Sequence, residues 1–180
     1  MLKDHLLNLG YNETAVTIIT FNNEIYNYKG NDLCNKVDSI YHCLLSIGYC
    51  SKDIISITQF YPGVFLLDEK NIKNRMRFLC LLGYSYDNVK FLILHNPNIL
   101  SMNLNEIKEI IKTFMNLKYE YNDVINMSLK FPTIYNINSQ DIISRYNDLI
   151  NLGFQKEEVY GVTKKHPDLY GKEYELYKTK

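Results

Sequence analysis

Residues 81–100 read LLGYSYDNVKFLILHNPNIL, and almost every feature of that stretch returns elsewhere in the chain. Gly83 is followed by the aromatic Tyr84, an acid (Asp87) follows shortly after, and Pro97 closes a short run with an apolar pair, Ile99 and Leu100, behind it. The chain has four prolines, Pro62, Pro97, Pro132 and Pro167, each 35 residues from the next. All four lead into an apolar pair: "PGVF", "PNIL", "PTIY" and "PDLY". Proline lacks an N–H and restricts the residue before it, so its return at one interval marks a structural repeat.

The register extends on both sides of proline. Fourteen residues earlier stand Gly48, Gly83, Lys118 and Gly153, each followed by an aromatic: Tyr49, Tyr84, Tyr119 and Phe154. Eight residues before proline are Ile54, Val89, Val124 and Val159; five before it are Ile57, Leu92, Met127 and Val162. Apolar positions three apart form one stripe of a helix. Asp53, Asp87, Asp123 and Glu157 fall in its first turn, where the helix dipole favours an anion. This is helix A of each copy, and proline stops it.

Six residues past the first three prolines come Asp68, Asn103 and Asn138, residues that cap helices well. From there Ile107, Ile110, Ile111, Phe114 and Leu117 keep helical spacing, as do Ile142, Tyr146 and Leu149 one period on. This is helix B, closed at Gly83 and Gly153 by a glycine in the left-handed conformation. Lys118 occupies that glycine position, which predicts strain or a different cap there. A degenerate first copy, "LGYNETAVTIITFNNEIY", holds Gly10, Tyr11, Val16 and Ile19 in register, with Asn23 near the proline position and a helix of about 31–47 after it.

These observations predict an all-α superhelical solenoid of roughly 35-residue repeats, each with two helices and a short turn after the proline. The expected organisation is one solenoid domain over 1–180, with repeats at about 10–47, 48–82, 83–117, 118–152 and an incomplete 153–180 ending in a stub of helix B. Its terminal repeats leave apolar edges that invite self-association.

Other 35-residue or near-35-residue helix pairs exist, and the internal pattern separates them. Leu-Gly-aromatic, a polar cap, a short helix, proline with an apolar pair and a second helix together resemble the mitochondrial transcription termination factor (mTERF) family. "LLGYSYDNVKFLILHNPNIL" carries the resemblance most clearly, with "IGYCSKDIISITQFYPGVF" and "LGFQKEEVYGVTKKHPDLYG" close behind. "LKYEYNDVINMSLKFPTIY" shares it without the glycine. The resemblance implies a curved array of triangular helical motifs that holds nucleic acid along a basic face.

Composition places limits on that expectation. Twenty lysines and arginines balance twenty acids, only three residues are arginine, and no global positive field exists, so a basic surface must be local. On helix B, Lys73 and Arg77 lie four apart, and Lys108 and Lys112 repeat the same two columns one period later. Residues four apart share a face and equivalent columns stack, so these four are the candidate phosphate contacts. Lys130 and Lys165 form a second candidate column just before the proline. Arg75 and Arg145 share a further column, with guanidinium groups expected to reach outward from near the core. Tyr49, Tyr84 and Tyr119 read as core, whereas Tyr28, Tyr121, Tyr174 and Tyr177 fall outside the core columns.

Catalysis finds no support. His5, His42, His95 and His166 have no nucleophile or carboxylate at motif spacing, and no phosphate loop or metal-binding HExxH occurs. Cys34, Cys43, Cys50 and Cys80 form no CxxC pair and read as reduced thiols. The expectation is therefore a protein without catalytic residues, metal or cofactor, not bound to membrane and cytoplasmic, since no signal, transit or spanning segment is seen. What the family resemblance implies is a non-enzymatic nucleic-acid-binding module for DNA or RNA, with transcription regulation as the expected role. The alternative partner is a polypeptide gripped on the concave face, which would make the protein an interaction scaffold.

Overall fold

The computed structural model describes residues 2–171. Helices alternate through the chain: α1 (Leu2–Asn8), α2 (Glu13–Thr20), α3 (Asn23–Tyr26), α4 (Leu33–Ile47), α5 (Ser51–Phe60), α6 (Glu69–Leu81), α7 (Tyr86–His95), α8 (Leu104–Asn116), α9 (Tyr121–Lys130), α10 (Ser139–Asn151) and α11 (Lys156–Lys165). Short 3₁₀ turns begin at every proline: Pro62–Leu66, Pro97–Leu100, Pro132–Asn136 and Pro167–Tyr170. No strand occurs among the described residues. The fold is all-α, a helical-repeat solenoid, as the register predicts. The expected stub of helix B, Tyr174 and Tyr177 lie outside the described residues.

Helix A of the later copies is α5, α7, α9 and α11, and its boundaries follow from its ends. Ser85 Oγ accepts the Asn88 N–H at 3.2 Å, while the Cys50 and Gln155 N–H groups donate to the Asp53 and Glu158 carboxylates at 3.1 and 2.7 Å. The far end stops because the pre-proline residue is driven out of helical geometry: Tyr61, Asn96, Phe131 and His166 have φ between −126° and −145° and ψ between 69° and 81°. The 3₁₀ turn then tucks its apolar pair inward, so that Val64, Phe65, Ile99, Leu100, Ile134 and Tyr135 are all buried. In the first copy, where Asn23 replaces proline, the four-residue helix α3 fills this place, capped by Asn22 Oδ1.

Helix B starts behave less uniformly than the sequence suggests. Asn103 and Asn138 accept the Asn105 and Asp141 N–H groups at 2.9 and 2.8 Å. Asp68 holds the cap position of α6 but its side chain makes no capping bond. Helix B ends share one geometry in all five copies. The N–H of the aromatic residue donates back to the carbonyl five residues earlier, as in Tyr49 to Leu44 at 3.2 Å and Tyr119 to Phe114 at 3.1 Å. The residue before it donates to a carbonyl three residues earlier, as in Gly48 to Leu45 and Lys118 to Met115, both 2.9 Å. This double closure needs a left-handed residue and an apolar contact across it. Gly10, Gly48, Gly83 and Gly153 supply φ of 90–96°, and Lys118 adopts φ 74° without the freedom of glycine. The strain expected at Lys118 is therefore real, and the cap is the same one. Its apolar contact is visible too: the Phe114 and Tyr119 rings meet edge to face at 5.5 Å.

The chain gathers into two compact units, Met1–Ser101 and Met102–Lys180. In the first, the A helices α2, α5 and α7 pack in sequence and the B helices α1, α4 and α6 do likewise, with the turns at Pro62 and Pro97 wedged against them. In the second, α9 packs on α11 and α8 on α10, with the turn at Pro167 touching α9, α10 and α11.

Within each unit the aromatic column ties one copy to the next. Tyr11, Tyr49, Tyr84 and Tyr119 are buried, and the hydroxyls of Tyr11, Tyr49 and Tyr119 reach the next helix A. Tyr11 meets Thr58 Oγ1 at 2.9 Å, Tyr49 donates to the Lys90 carbonyl at 2.9 Å, and Tyr119 meets Thr163 Oγ1 at 2.6 Å and the Tyr170 hydroxyl at 2.8 Å. Thr58 and Thr163 share a register position that Ile93 occupies in the third copy, which explains why Tyr49 turns to a backbone carbonyl instead. Burial pushes the Tyr11 hydroxyl up to about 12 and raises Tyr49, Tyr119 and Tyr170 as well. Phe154, the last member of the column, has no hydroxyl and is 43% exposed.

Candidate functional site

Lys73 and Arg77 lie one turn apart on the exposed face of α6 and line a groove of about 370 Å³. Its other walls are Ser46 and Ile47 from the end of α4, Met76 and Cys80 from α6, and Tyr86 at the start of α7. The sequence fixes this arrangement locally. Ile72, Met76 and Leu79 bury the inner stripe of α6, which leaves positions 73 and 77 outside. Tyr86 donates its hydroxyl to the Ile47 carbonyl at 3.3 Å, so it satisfies an open carbonyl at the end of α4 while half of its surface stays exposed.

The two cations are not equivalent. Lys73 Nζ pairs with Glu69 Oε2 at 3.1 Å, four residues earlier, and Glu69 Oε1 accepts the Ser39 hydroxyl at 2.8 Å. The Ser39 and Lys73 contacts hold the Glu69 carboxyl below its usual range, and Glu69 in turn raises the Lys73 ammonium. Arg77 makes no hydrogen bond or ion pair among the described residues, and its guanidinium is exposed. A planar guanidinium with all its donors open is the group best shaped for a phosphate or carboxylate.

Lys108 and Lys112 share an exposed face of α8 with Asn105 and Asn116, over a shallow cleft. Glu109 lines the same cleft. A carboxylate there works against an approaching phosphate, so this pair is weaker than the α6 pair in its local field. Lys73 and Arg77 belong to the first unit, Lys108 and Lys112 to the second.

Lys130 and Lys165 are the exposed last residues of α9 and α11. Lys130 Nζ donates to the Lys164 carbonyl at 2.8 Å, and Lys164 Nζ pairs with Asp123 Oδ2 at 3.2 Å. Lysines are stabilised at helix C-termini by the negative end of the dipole, which accounts for their place here without any ligand. Arg75 and Arg145 depart from the expected outward reach. Arg75 is half-buried, and its loss of water lowers its pKa. Arg145 turns its guanidinium onto the Gly171 carbonyl and so ties α10 to the last turn.

Several other polar residues make structural contacts. His5 Nε2 lies 2.8 Å from Asp38 Oδ1, a contact between α1 and α4 that no motif spacing announced. His95 stacks on Phe91 at 4.1 Å and bonds its carbonyl at 2.9 Å. Tyr28 donates to Asp32 at 2.7 Å. The four cysteines are free thiols. Among the described residues no group of acids, histidines and cysteines could hold a metal ion, and no helix is long and apolar enough to cross a membrane.

Tyr86, Ser46 and Glu109 complete the two surfaces and were not singled out from the sequence. Tyr86 carried one signal, a second aromatic two residues past the buried Tyr84.

Comparison with known proteins agrees with this architecture. The mTERF family model matches residues 6–127 and, in a second overlapping match, residues 92–180. Two overlapping matches of one pattern are what a chain of equivalent copies produces. A search of curated proteins found no match.

Proposed function

Because the chain belongs to the mTERF family, we propose that it is a non-enzymatic module that binds nucleic acid, DNA or RNA, through phosphate contacts made by helix B. The observation that carries this reading is the groove between α4 and α6, where the open guanidinium of Arg77 stands beside Lys73. Lys108 and Lys112 add a second, weaker contact on α8. Lys130 and Lys165 contribute least, since Lys130 is already engaged with a helix end. Affinity then comes from counterion release, with little preference among sequences, because no array of arginine and asparagine stands ready to read base edges. A regulator of transcription or of RNA would use such a module to hold its template.

The test is fluorescence anisotropy with short labelled duplex DNA, duplex RNA and single strands at about 50 mM salt, where weak electrostatic complexes survive. K73Q/R77Q should lose most of the affinity, K108E/K112E part of it, and K130E/K165E least. Helicity should not change, since exposed substitutions stay within about 0.5 kcal/mol each. Absence of binding by the wild-type protein, or full binding by K73Q/R77Q, overturns the proposal.

A further inference from the structure

A cleft of about 430 Å³ in the second unit runs between the first turns of α8 and the segment that leads from the Pro132 turn into α10. Its floor is apolar: Ile110 and Tyr135 are buried beneath it, and Met102 and Ile137 are half-buried along it. Its rim is acidic. Glu106 and Glu109 stand three apart on α8, both exposed, with carboxylates that make no hydrogen bond or ion pair among the described residues. Other polar groups of the lining are already spent. Asn138 accepts the Asp141 N–H at 2.8 Å and donates to the Asp141 carboxylate at 2.7 Å, and the Ser139 and Thr113 hydroxyls bond each other at 2.9 Å.

We propose that this cleft is a docking site for a basic, apolar peptide segment of a protein partner, with Glu106 and Glu109 taking two cationic side chains and the Ile110–Ile137 floor taking the apolar residue between them. Charge complementarity selects the occupant. Two unneutralised carboxylates repel a phosphate backbone, and a bare cation would leave the apolar floor uncovered. Residues three apart on a helix are about 5–6 Å apart at Cβ, close to the spacing of alternate residues on an extended chain. An extended segment with cationic residues at alternate positions therefore meets both glutamates at once. The cleft volume lies within the usual range for pockets that hold a few side chains. The cleft shares Glu109 with the Lys108–Lys112 cleft and no lining residue with the α4–α6 groove.

The test uses a labelled hexapeptide of alternating arginine and leucine, titrated with the full chain by anisotropy. E106Q/E109Q should weaken its binding about fivefold or more, the loss expected for two exposed ion pairs. E157Q/E158Q, the same change on α11, should leave it unaltered. Bound peptide should also shift the NMR methyl signals of Ile110 and Ile137. The peptide in which glutamate replaces arginine should not bind. No binding by the wild-type chain, equal loss in both double variants, or unmoved Ile110 and Ile137 signals would each overturn the proposal. Oligonucleotide binding, read separately with K73Q/R77Q, reports on the other surface, so the two readings fail independently.

Discussion

Replacing Lys118 with glycine should make the protein more stable, although it removes a side chain. Lys118 holds φ 74° at the end of α8, where the other four copies place glycine at 90–96°. A side-chain-bearing residue in the left-handed region costs roughly 1–2 kcal/mol through the clash of Cβ with the following carbonyl. Glycine removes that clash but gives the unfolded chain more freedom, a loss of roughly 0.5–1 kcal/mol. The closing bonds, Lys118 N–H to Met115 and Tyr119 N–H to Phe114, are backbone and survive the change. Lys118 is exposed, so no packing is lost. The net gain is about 0.5–1 kcal/mol, and a chain of this size should melt about 1–4 °C higher. The mirror experiment is Gly83→Ala. A methyl at Gly83 would meet no atom within 4 Å, so the loss there, about 1 kcal/mol, isolates the φ of 90° from any steric clash. Thermal melts by circular dichroism for K118G and G83A supply both values. A lower or unchanged melting temperature for K118G, with helicity intact, would refute the argument that one backbone conformation closes every helix B.

Three further outcomes follow from the packing. Tyr119→Phe should destabilise by about 1–3 kcal/mol, because the buried Thr163 and Tyr170 hydroxyls lose a shared partner; denaturant titration measures it. Ile110→Ala should cost about 2–5 kcal/mol by the same assay, since Ile110 is buried in the core of the second unit. The raised tyrosines give an alkaline limit. Their folded pKa values exceed the unfolded value near 10, so their contribution is complete below about pH 10 and is lost as pH rises through the folded values, about 12 for Tyr11. The tyrosinate absorbance of the buried tyrosines should therefore appear together with loss of helicity, after that of exposed ones such as Tyr26; full ionisation of the protein with its helices intact would contradict the burial.

The repeat was legible because each recurring residue answers a local demand. Proline stops helix A, glycine reverses the chain, and the aromatic after it fills the space over the closure, so backbone chemistry within a few residues fixed the register. Lys118 stood out for the same reason. Asp68 shows the limit of that reasoning, since a good capping residue in the right place makes no capping bond. The surface was harder to read. The Glu69–Lys73 pair could have been seen from its spacing, but Ser39 lies 30 residues from Glu69 and Lys164 lies 34 from Lys130. Those partners meet only once copies stack, and the same stacking decides which cations stay open. The acidic cleft was illegible for a similar reason: Glu106 and Glu109 share its lining with Tyr135 and Ile137, which belong to the following copy.

The central claim is that Lys73 and Arg77 contact phosphate, and the salt dependence of binding tests it most directly. Each phosphate contact with duplex DNA contributes about 0.9 to the slope of log affinity against log salt. Wild-type protein and K73Q/R77Q, titrated against one labelled duplex over a range of salt, should therefore differ in slope by about 1.8. A shallower slope of that size, with weaker binding at every salt concentration, is the predicted result. Identical slopes would place the phosphate contacts elsewhere on the molecule and contradict the account.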